Sequence, residues 1–198
     1  MRRTVVLLTS MALALLLACG VVLAETVNCG FSTSANPCFG TAVGDTLYGT
    51  PYADYIYGQG GNDKIYGFEG DDIALYAEQY DRPSRDGNDR VYGGPGNDLI
   101  SWLFGGTDVA KGHGGRDFIG LVDDDIYLDS GQVVRDTPNP GVDTAYGGSG
   151  ADYIYAVDGF RDVIDCGSST LDKVYFDEGI DEITNCEILE PHTLPPPP

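Results

Sequence analysis

One residue type, aspartate, recurs along this chain at steps of nine or ten within three groups. We call these residues the marker aspartates: Asp45, Asp54, Asp63, Asp72, Asp89, Asp98, Asp108, Asp117, Asp143, Asp152, Asp162, Asp172 and Asp181. Carboxylates supply hard oxygen ligands, which Ca²⁺ prefers. A single aspartate often caps its own turn instead, by accepting hydrogen bonds from nearby backbone N–H groups. Thirteen of them in one series favour the metal over the cap.

The residue two places after each marker aspartate is apolar in all thirteen repeats. The residues on either side of it are mixed in character and often polar or aromatic. This alternation predicts a short β-strand of about three residues with its apolar side chain facing inward. The predicted inward residues are Leu47, Ile56, Ile65, Ala74, Val91, Ile100, Ala110, Ile119, Ala145, Ile154, Ile164, Val174 and Ile183.

A glycine-rich stretch precedes each strand, most regularly in Gly93–Asp98, Gly147–Asp152, Gly67–Asp72 and Gly112–Asp117. Glycine is favoured where the backbone takes a positive φ, so these stretches are predicted to be turns. A strand and a turn every nine residues give a coil of about 18 residues per circuit. Stacked circuits of this kind form parallel sheets on two sides of a buried column. We therefore predict an all-β fold, a parallel β-roll or β-helix solenoid.

Marker aspartates one circuit apart would face each other across this stack, as Asp45 with Asp63 and Asp54 with Asp72. At a spacing of about 4.8 Å such carboxylates repel each other unless a cation lies between them. Two carboxylates and several turn carbonyls make an all-oxygen site that suits Ca²⁺. Mg²⁺ fits less well, because it demands stricter octahedral geometry and gives up water reluctantly.

The turns resemble a known calcium-binding repeat. The pattern G-G-x-G-x-D-x-U-x, in which U is a large apolar residue, is that of the hemolysin-type or RTX nonapeptide. Residues Gly93–Ser101 and Gly147–Tyr155 match it in full, and the resemblance extends over roughly Gly40–Ile183. It implies a parallel β-roll, with the thirteen marker aspartates as calcium ligands.

The sequence departs from the pattern of this family in three respects. Toxins and proteases of the family are usually exported through a C-terminal signal, whereas this chain begins with an N-terminal leader, and we expect no catalytic or toxin domain before the repeats. The turns 157–162 and 167–172 lack glycine at the fourth place, and three steps are ten residues long. We expect complete calcium sites mainly in the first group of repeats and partial sites later.

Residues 1–24 are predicted to be a secretory signal, with Arg2 and Arg3 before an apolar core and Val22–Ala24 as the cleavage site. The 198-residue chain has a net charge of -20, and removal of the leader leaves 9 basic residues against 31 acidic ones, a net charge of -22. This charge excludes nucleic acid and anionic membrane as default partners. No further apolar run is long enough to span a bilayer. A competing interpretation makes Cys19 a lipidated N-terminus and the protein lipid-anchored.

The four remaining cysteines are an even number, as expected in an oxidising compartment. Cys166 and Cys186 are about one circuit apart, so their Cα atoms are expected at the 5 to 6 Å that a disulfide requires. Cys29 and Cys38 would close a small N-terminal loop. Both pairs are predicted to staple the ends of the solenoid, where caps are needed.

The predicted organisation has four parts: a signal peptide at 1–24, an N-terminal cap at 25–39, the calcium-binding roll at 40–190 and a proline-rich disordered tail at 191–198. Loops inserted near 73–88 and 118–142 interrupt the roll.

We interpret the chain as a secreted, non-catalytic calcium-binding module of the cell surface or matrix, in which calcium binding is coupled to folding. A surface glycan or a matrix protein is the expected partner, the glycan through outward tyrosines three places after the markers. The alternative role for these tyrosines is cross-strand stacking. No zinc motif or serine nucleophile motif is present. The alternative function is a secreted polysaccharide-acting enzyme, with its site on the inserted loops near Asp123, Asp124, Asp125 and Tyr127.

Overall fold

A computed structural model describes residues 23–78, 87–101, 103, 105–121, 125–127, 133–135, 141–169 and 171–192. Residues 1–22 of the predicted leader, with Cys19, lie outside the described residues, as does the tail from 193 onward. Within the described residues every regular element is a β-strand, and none is a helix long and apolar enough to cross a membrane.

The strands are short, as the nine-residue period requires. They are β1 (Thr26–Asn28), β2 (Cys38–Phe39), β3 (Thr46–Tyr48), β4 (Tyr55–Gln59), β5 (Lys64–Tyr66), β6 (Ala74–Glu78), β7 (Arg90–Pro95), β8 (Leu99–Ser101), β9 (Val109–Gly114), β10 (Phe118–Gly120), β11 (Asp125–Tyr127), β12 (Val133–Arg135), β13 (Thr144–Ser149), β14 (Tyr153–Ala156), β15 (Val163–Gly167), β16 (Lys173–Asp177), β17 (Glu182–Thr184) and β18 (Ile188–His192).

Sixteen of these strands form two eight-stranded parallel sheets. The first sheet has the order β1-β3-β5-β7-β9-β13-β15-β17, and the second has the order β18-β16-β14-β10-β8-β6-β4-β2. The chain therefore alternates between the sheets and winds a β-solenoid of about seven turns, with about 19 residues per turn. This confirms the predicted parallel solenoid, with a circuit about one residue longer than expected.

The core is a column of apolar side chains between the two sheets. Eleven of the thirteen predicted inward residues are fully buried, and Ile183 packs partly buried against the column. The prediction is wrong for Ala74, since the register pairs Ile56 with Leu75 and Leu75 with Ile100. A shift of one residue exchanges the two faces of a strand. The larger Leu75 thereby takes the core position and is fully buried.

Two excursions lengthen the circuits before β7 and β13. Thr46 to Lys64 is an ordinary circuit of 18 residues, whereas the next one pairs Lys64 with Arg90. The predicted loop ranges 73–88 and 118–142 contain sheet strands at their beginning, because β6 pairs with β4 and β8, and β10 pairs with β8 and β14. The second range also contains the antiparallel pair of β11 and β12. The excursions are therefore shorter than expected.

Both predicted disulfides are present, one near each end of the solenoid. The Cα atoms of Cys29 and Cys38 are 5.6 Å apart, and those of Cys166 and Cys186 are 5.1 Å apart. At the C-terminal end, Pro191 and His192 belong to β18 and pair with Phe176 and Asp177. The predicted tail at 191–198 thus begins with two residues that extend the second sheet.

Candidate metal centre

The turns between strands lie along two edges of the solenoid. The glycine edge carries the turns that end at Asp54, Asp72, Asp98, Asp117, Asp152 and Asp172. The insertion edge carries the turns that end at Asp45, Asp63, Asp89, Asp108, Asp143, Asp162 and Asp181, and both excursions leave from it. The four most regular glycine turns are therefore consecutive neighbours on one uninterrupted edge.

The marker aspartates on each edge form a hydrogen-bonded ladder. The N–H of Asp72 donates to Oδ1 of Asp98 at 2.9 Å, and the N–H of Asp98 donates to Oδ1 of Asp117 at 2.9 Å. The same bond joins Asp45 to Asp63 at 2.7 Å on the insertion edge. Twelve of the thirteen side chains are buried, with relative exposures of 3% or less. The predicted facing of aspartates one circuit apart is thus observed.

The first glycine of a turn provides the space for the aspartate that ends it. A Cβ on Gly93 would collide with Oδ2 of Asp98, and a Cβ on Gly112 would collide with Oδ2 of Asp117. The carboxylate therefore folds back against the start of its own turn. Any side chain at that glycine would displace it.

The later glycines allow successive turns to approach closely. Gly96 has a φ of 156°, and a Cβ there would overlap the carbonyl oxygen of Gly70 in the preceding circuit. Gly94 has a φ of 122°, and a Cβ there would overlap the carbonyl oxygen of Phe68. Turn carbonyls consequently line the gap between neighbouring turns, beside the carboxylates.

One carboxylate oxygen in most of these turns has no hydrogen-bond partner in the protein. A buried charged oxygen without a partner is costly, and ionised carboxylates accept hydrogen bonds but donate none. Buried Oδ2 atoms of this kind belong to Asp63, Asp72, Asp98, Asp117, Asp152, Asp162 and Asp172.

Burial raises the pKa of several marker aspartates far above the ordinary value. The pKa of Asp72 is raised to about 8 and that of Asp117 to about 7, with burial as the largest cause. The accepted backbone N–H opposes the shift, and neighbouring marker aspartates increase it. Burial likewise raises the pKa of Asp63 to about 8 and of Asp162 to about 9. The charged ladder thus needs a cation to remain ionised at neutral pH.

Sequence reasoning missed a second ladder, formed by the residues just before the markers. Oδ1 of Asn97 accepts the N–H of Arg116 at 2.8 Å, and Oδ1 of Asn88 accepts the N–H of Thr107 at 2.7 Å. Asn62 does the same for the N–H of Asn88 at 2.7 Å. The oxygen of a neutral amide is therefore a sufficient acceptor where the only donor is a backbone N–H. The recurrence of Asn before Asp was the available signal.

At three markers the protein satisfies both carboxylate oxygens. Oδ2 of Asp45 accepts the N–H of Thr41 at 2.5 Å and its hydroxyl at 2.8 Å. Oδ2 of Asp54 accepts the N–H of Thr50 at 2.6 Å and its hydroxyl at 3.0 Å. Oδ2 of Asp181 accepts the N–H of Asp177 at 2.7 Å. We call the turns that end at these three markers the closed turns.

No three His, Cys, Asp or Glu side chains in the described ranges converge as a preformed metal site. The donor set is instead two carboxylates from neighbouring circuits together with turn carbonyls, all of them oxygen. Such a set fits Ca²⁺, which accepts carbonyl and carboxylate ligands in flexible geometry.

A family model, the RTX calcium-binding nonapeptide repeat (4 copies), matches residues 39–74, 85–101 and 139–160. The chain carries RTX repeats. These nonapeptide repeats are calcium-binding, so Ca²⁺ is their cofactor. No curated protein and no solved structure matches the chain.

Between them, the three RTX segments contain eight of the marker aspartates. The RTX β-roll is a structural calcium-binding fold that is not typically catalytic. Of the residues expected in the alternative enzyme, Asp123 and Asp124 lie outside the described residues, and Asp125 and Tyr127 begin and end β11.

The outward tyrosines stack along the RTX roll. The ring centroids of Tyr48 and Tyr66 are 5.2 Å apart with an interplanar angle of 17°, and those of Tyr66 and Tyr92 are 4.8 Å apart at 4°. Both faces of Tyr66 are therefore covered by its neighbours. This geometry favours cross-strand stacking, the alternative role considered for these residues.

Proposed function

We propose that this protein is a secreted calcium-binding β-roll, a structural or interaction module of the cell surface or matrix, and that calcium binding is coupled to its folding. The observation that carries the proposal is the buried Oδ2 without a partner at the seven marker aspartates named above. On the glycine edge, Oδ2 of Asp72, Asp98, Asp117, Asp152 and Asp172 and the carbonyls between their turns would hold the ions. Bound Ca²⁺ supplies the positive charge that lets these carboxylates stay ionised while buried.

The neighbouring asparagine ladder supports a metal role over simple capping. Asn97 and Asp98 are adjacent, and each accepts one backbone N–H from the next or the preceding circuit. Asn97 is exposed and neutral, whereas Asp98 is buried and carries a second oxygen without a partner. A cap alone does not require that second oxygen or its charge.

Circular dichroism of the chain lacking residues 1–24, with calcium and after chelation, tests the proposal. We expect a β-sheet spectrum in calcium and its partial loss in chelator, because the unpaired ladder destabilises the roll. An unchanged spectrum and no bound calcium would contradict the proposal.

A matched pair of variants separates ligand from surface charge. Asp98→Asn should weaken calcium-induced folding by at least tenfold in the calcium concentration required. Asp71→Asn removes the same charge from the same region, but Asp71 is exposed and accepts the N–H of Asn97 at 2.8 Å, which an amide also does. Asp71→Asn should therefore fold at nearly the calcium concentration of the native sequence. Equal effects of the two substitutions would favour a general charge effect.

Secretion is part of the proposal and is supported by the two disulfides, which form in oxidising compartments. Intact-mass measurement of the exported protein tests it directly. A chain beginning at Glu25 without free thiols is expected. A lipidated chain beginning at Cys19 would instead establish the anchored form.

A surface glycan or a matrix protein is the proposed partner. Because the faces of Tyr66 are covered, contact would be made through exposed ring edges and hydroxyls rather than by sugar stacking. Glycan arrays and binding to immobilised matrix proteins, both in calcium, test this role. If no binding is found in either assay, a purely structural role remains as the proposed function.

A further inference from the structure

The two closed turns of the first circuit differ from the regular glycine turns in the backbone conformation four residues before the marker aspartate. Thr41 and Thr50 occupy this position in the first circuit. In three of the open turns, whose markers have a buried Oδ2 without a partner, the same position holds Phe68, Gly94 and His113, with φ values of 80°, 122° and 79°. The backbone conformation at this position therefore distinguishes the first circuit from these three turns. It is no general rule, because Asp162 and Asp172 also have a buried Oδ2 without a partner although the residues four places before them have no positive φ.

Threonine favours the closed conformation for a physical reason. A β-branched residue rarely adopts a positive φ, so Thr50 keeps its N–H directed toward Asp54. Its hydroxyl then adds a second donor to the same carboxylate oxygen, at 3.0 Å. The other oxygen of Asp54 accepts the hydroxyl of Ser32 at 2.7 Å. Asp54 is fully buried and has donors on both oxygens.

We propose that Thr41 and Thr50 take the place of calcium in the first circuit, because their N–H and hydroxyl groups satisfy the carboxylate oxygen that would otherwise contact the ion. This inference rests on the proposed function. It removes Asp45 and Asp54 from the predicted ligand set and assigns them a structural role. On the glycine edge, the first calcium then lies between the turns Gly67–Asp72 and Gly93–Asp98.

The sequence of the closed turn that ends at Asp54 allows the inference to be tested directly. Residues 49–54 read Gly-Thr-Pro-Tyr-Ala-Asp, and residues 93–98 read Gly-Gly-Pro-Gly-Asn-Asp. The double substitution Thr50→Gly with Tyr52→Gly converts the first into the glycine pattern of the second. Tyr52 is 58% exposed and stacks only on Phe31 among the ring contacts described, so its loss leaves the core intact.

The measurement is the number of calcium ions bound per chain, counted by native mass spectrometry on the disulfide-bonded chain lacking residues 1–24. Asp54→Asn should leave the number of ions unchanged, while Asp98→Asn on the same edge should lower it. Tyr52→Gly alone should leave it unchanged, and the double variant should raise it by one. A second readout is thermal unfolding in chelator, where the double variant should melt earlier than Tyr52→Gly because the threonine donors are gone.

The outcomes distinguish this inference from the function on which it rests. A native chain that binds no calcium contradicts the proposed function. A native chain that binds calcium, but loses as many ions with Asp54→Asn as with Asp98→Asn, contradicts only the inference. A double variant that folds in calcium without an additional ion also contradicts it.

Discussion

The backbone N–H of Asp98 donates to Oδ1 of Asp117, one circuit further along the chain, at 2.9 Å. This bond uses one oxygen of the Asp117 carboxylate and leaves Oδ2 buried without a partner. Each such carboxylate therefore has one oxygen that joins neighbouring circuits and one that is available to a cation. The first oxygen keeps the circuits in register, and the second makes their stacking depend on neutralising the charge.

Gly112→Ala should destabilise the calcium-bound protein by about 1–3 kcal/mol, because its Cβ would displace the Asp117 carboxylate. Gly30→Ala is the matched control, since a Cβ there has nothing within 4 Å. It should be neutral or stabilising by up to about 1 kcal/mol. Denaturant unfolding in saturating calcium measures both. Similar losses of stability for the two variants would show that the carboxylate does not need this space.

The stability of the calcium-free roll should increase on acidification. The carboxyl pKa of Asp63 and Asp72 is near 3.8 when unperturbed and about 8 in the folded chain, and that of Asp98 is about 6. Because the folded state binds these protons more tightly, its stability is greatest below pH 3.8 and is lost as pH rises toward 8. Thermal unfolding in metal-free buffer at a series of pH values from about 4.5 to about 8 measures this dependence.

The matching control is the same titration in saturating calcium. Bound calcium keeps the carboxylates ionised, so the melting temperature should depend much less on pH near neutrality. Calcium should also release protons on binding at pH 6, since several of the carboxyls are protonated there. A metal-free chain whose stability falls steadily on acidification across this window would contradict the prediction.

Loss of the Cys166–Cys186 disulfide should cost about 3 kcal/mol, because it closes a 20-residue segment. Loss of Cys29–Cys38 should cost somewhat less, since it closes a segment of 9 residues. Paired Cys→Ala variants, unfolded by denaturant in calcium, give both values. A larger loss at Cys29–Cys38 would indicate that the N-terminal loop contributes contacts beyond the covalent link.

The period of the sequence was enough to predict the sheets, because one apolar residue per nine and a glycine turn leave few other folds. It was not enough to predict the strand register at β6. Ala74 and Leu75 are both apolar, and only the packing between Ile56 and Ile100 selects Leu75. Periodicity alone does not show which of two adjacent apolar residues of different volume takes the core position.

Prediction of the candidate site from sequence periodicity has the same limit. The spacing predicted that Asp45 and Asp63 face each other, but all thirteen markers were expected to be calcium ligands, with complete sites mainly in the first group of repeats. In the first circuit the residue four places earlier makes the difference, since Thr41 donates two hydrogen bonds to Asp45. The threonine at that position can be read from the sequence. Its role as a hydrogen-bond donor to the marker carboxylate is evident only from the direction of its N–H and hydroxyl in the structure.

Calcium removal should loosen the roll unevenly along the chain. Peptides covering 40–57 contain the closed turns at Asp45 and Asp54, which keep their hydrogen bonds without a metal. Peptides covering 93–117 contain Asp98 and Asp117, whose Oδ2 atoms lose their neutralising charge. Hydrogen exchange followed by mass spectrometry should therefore show at least tenfold faster exchange in 93–117 than in 40–57 after chelation. In calcium the two segments should exchange at similar rates, and equal acceleration of both on chelation would contradict the distinction between closed and open turns.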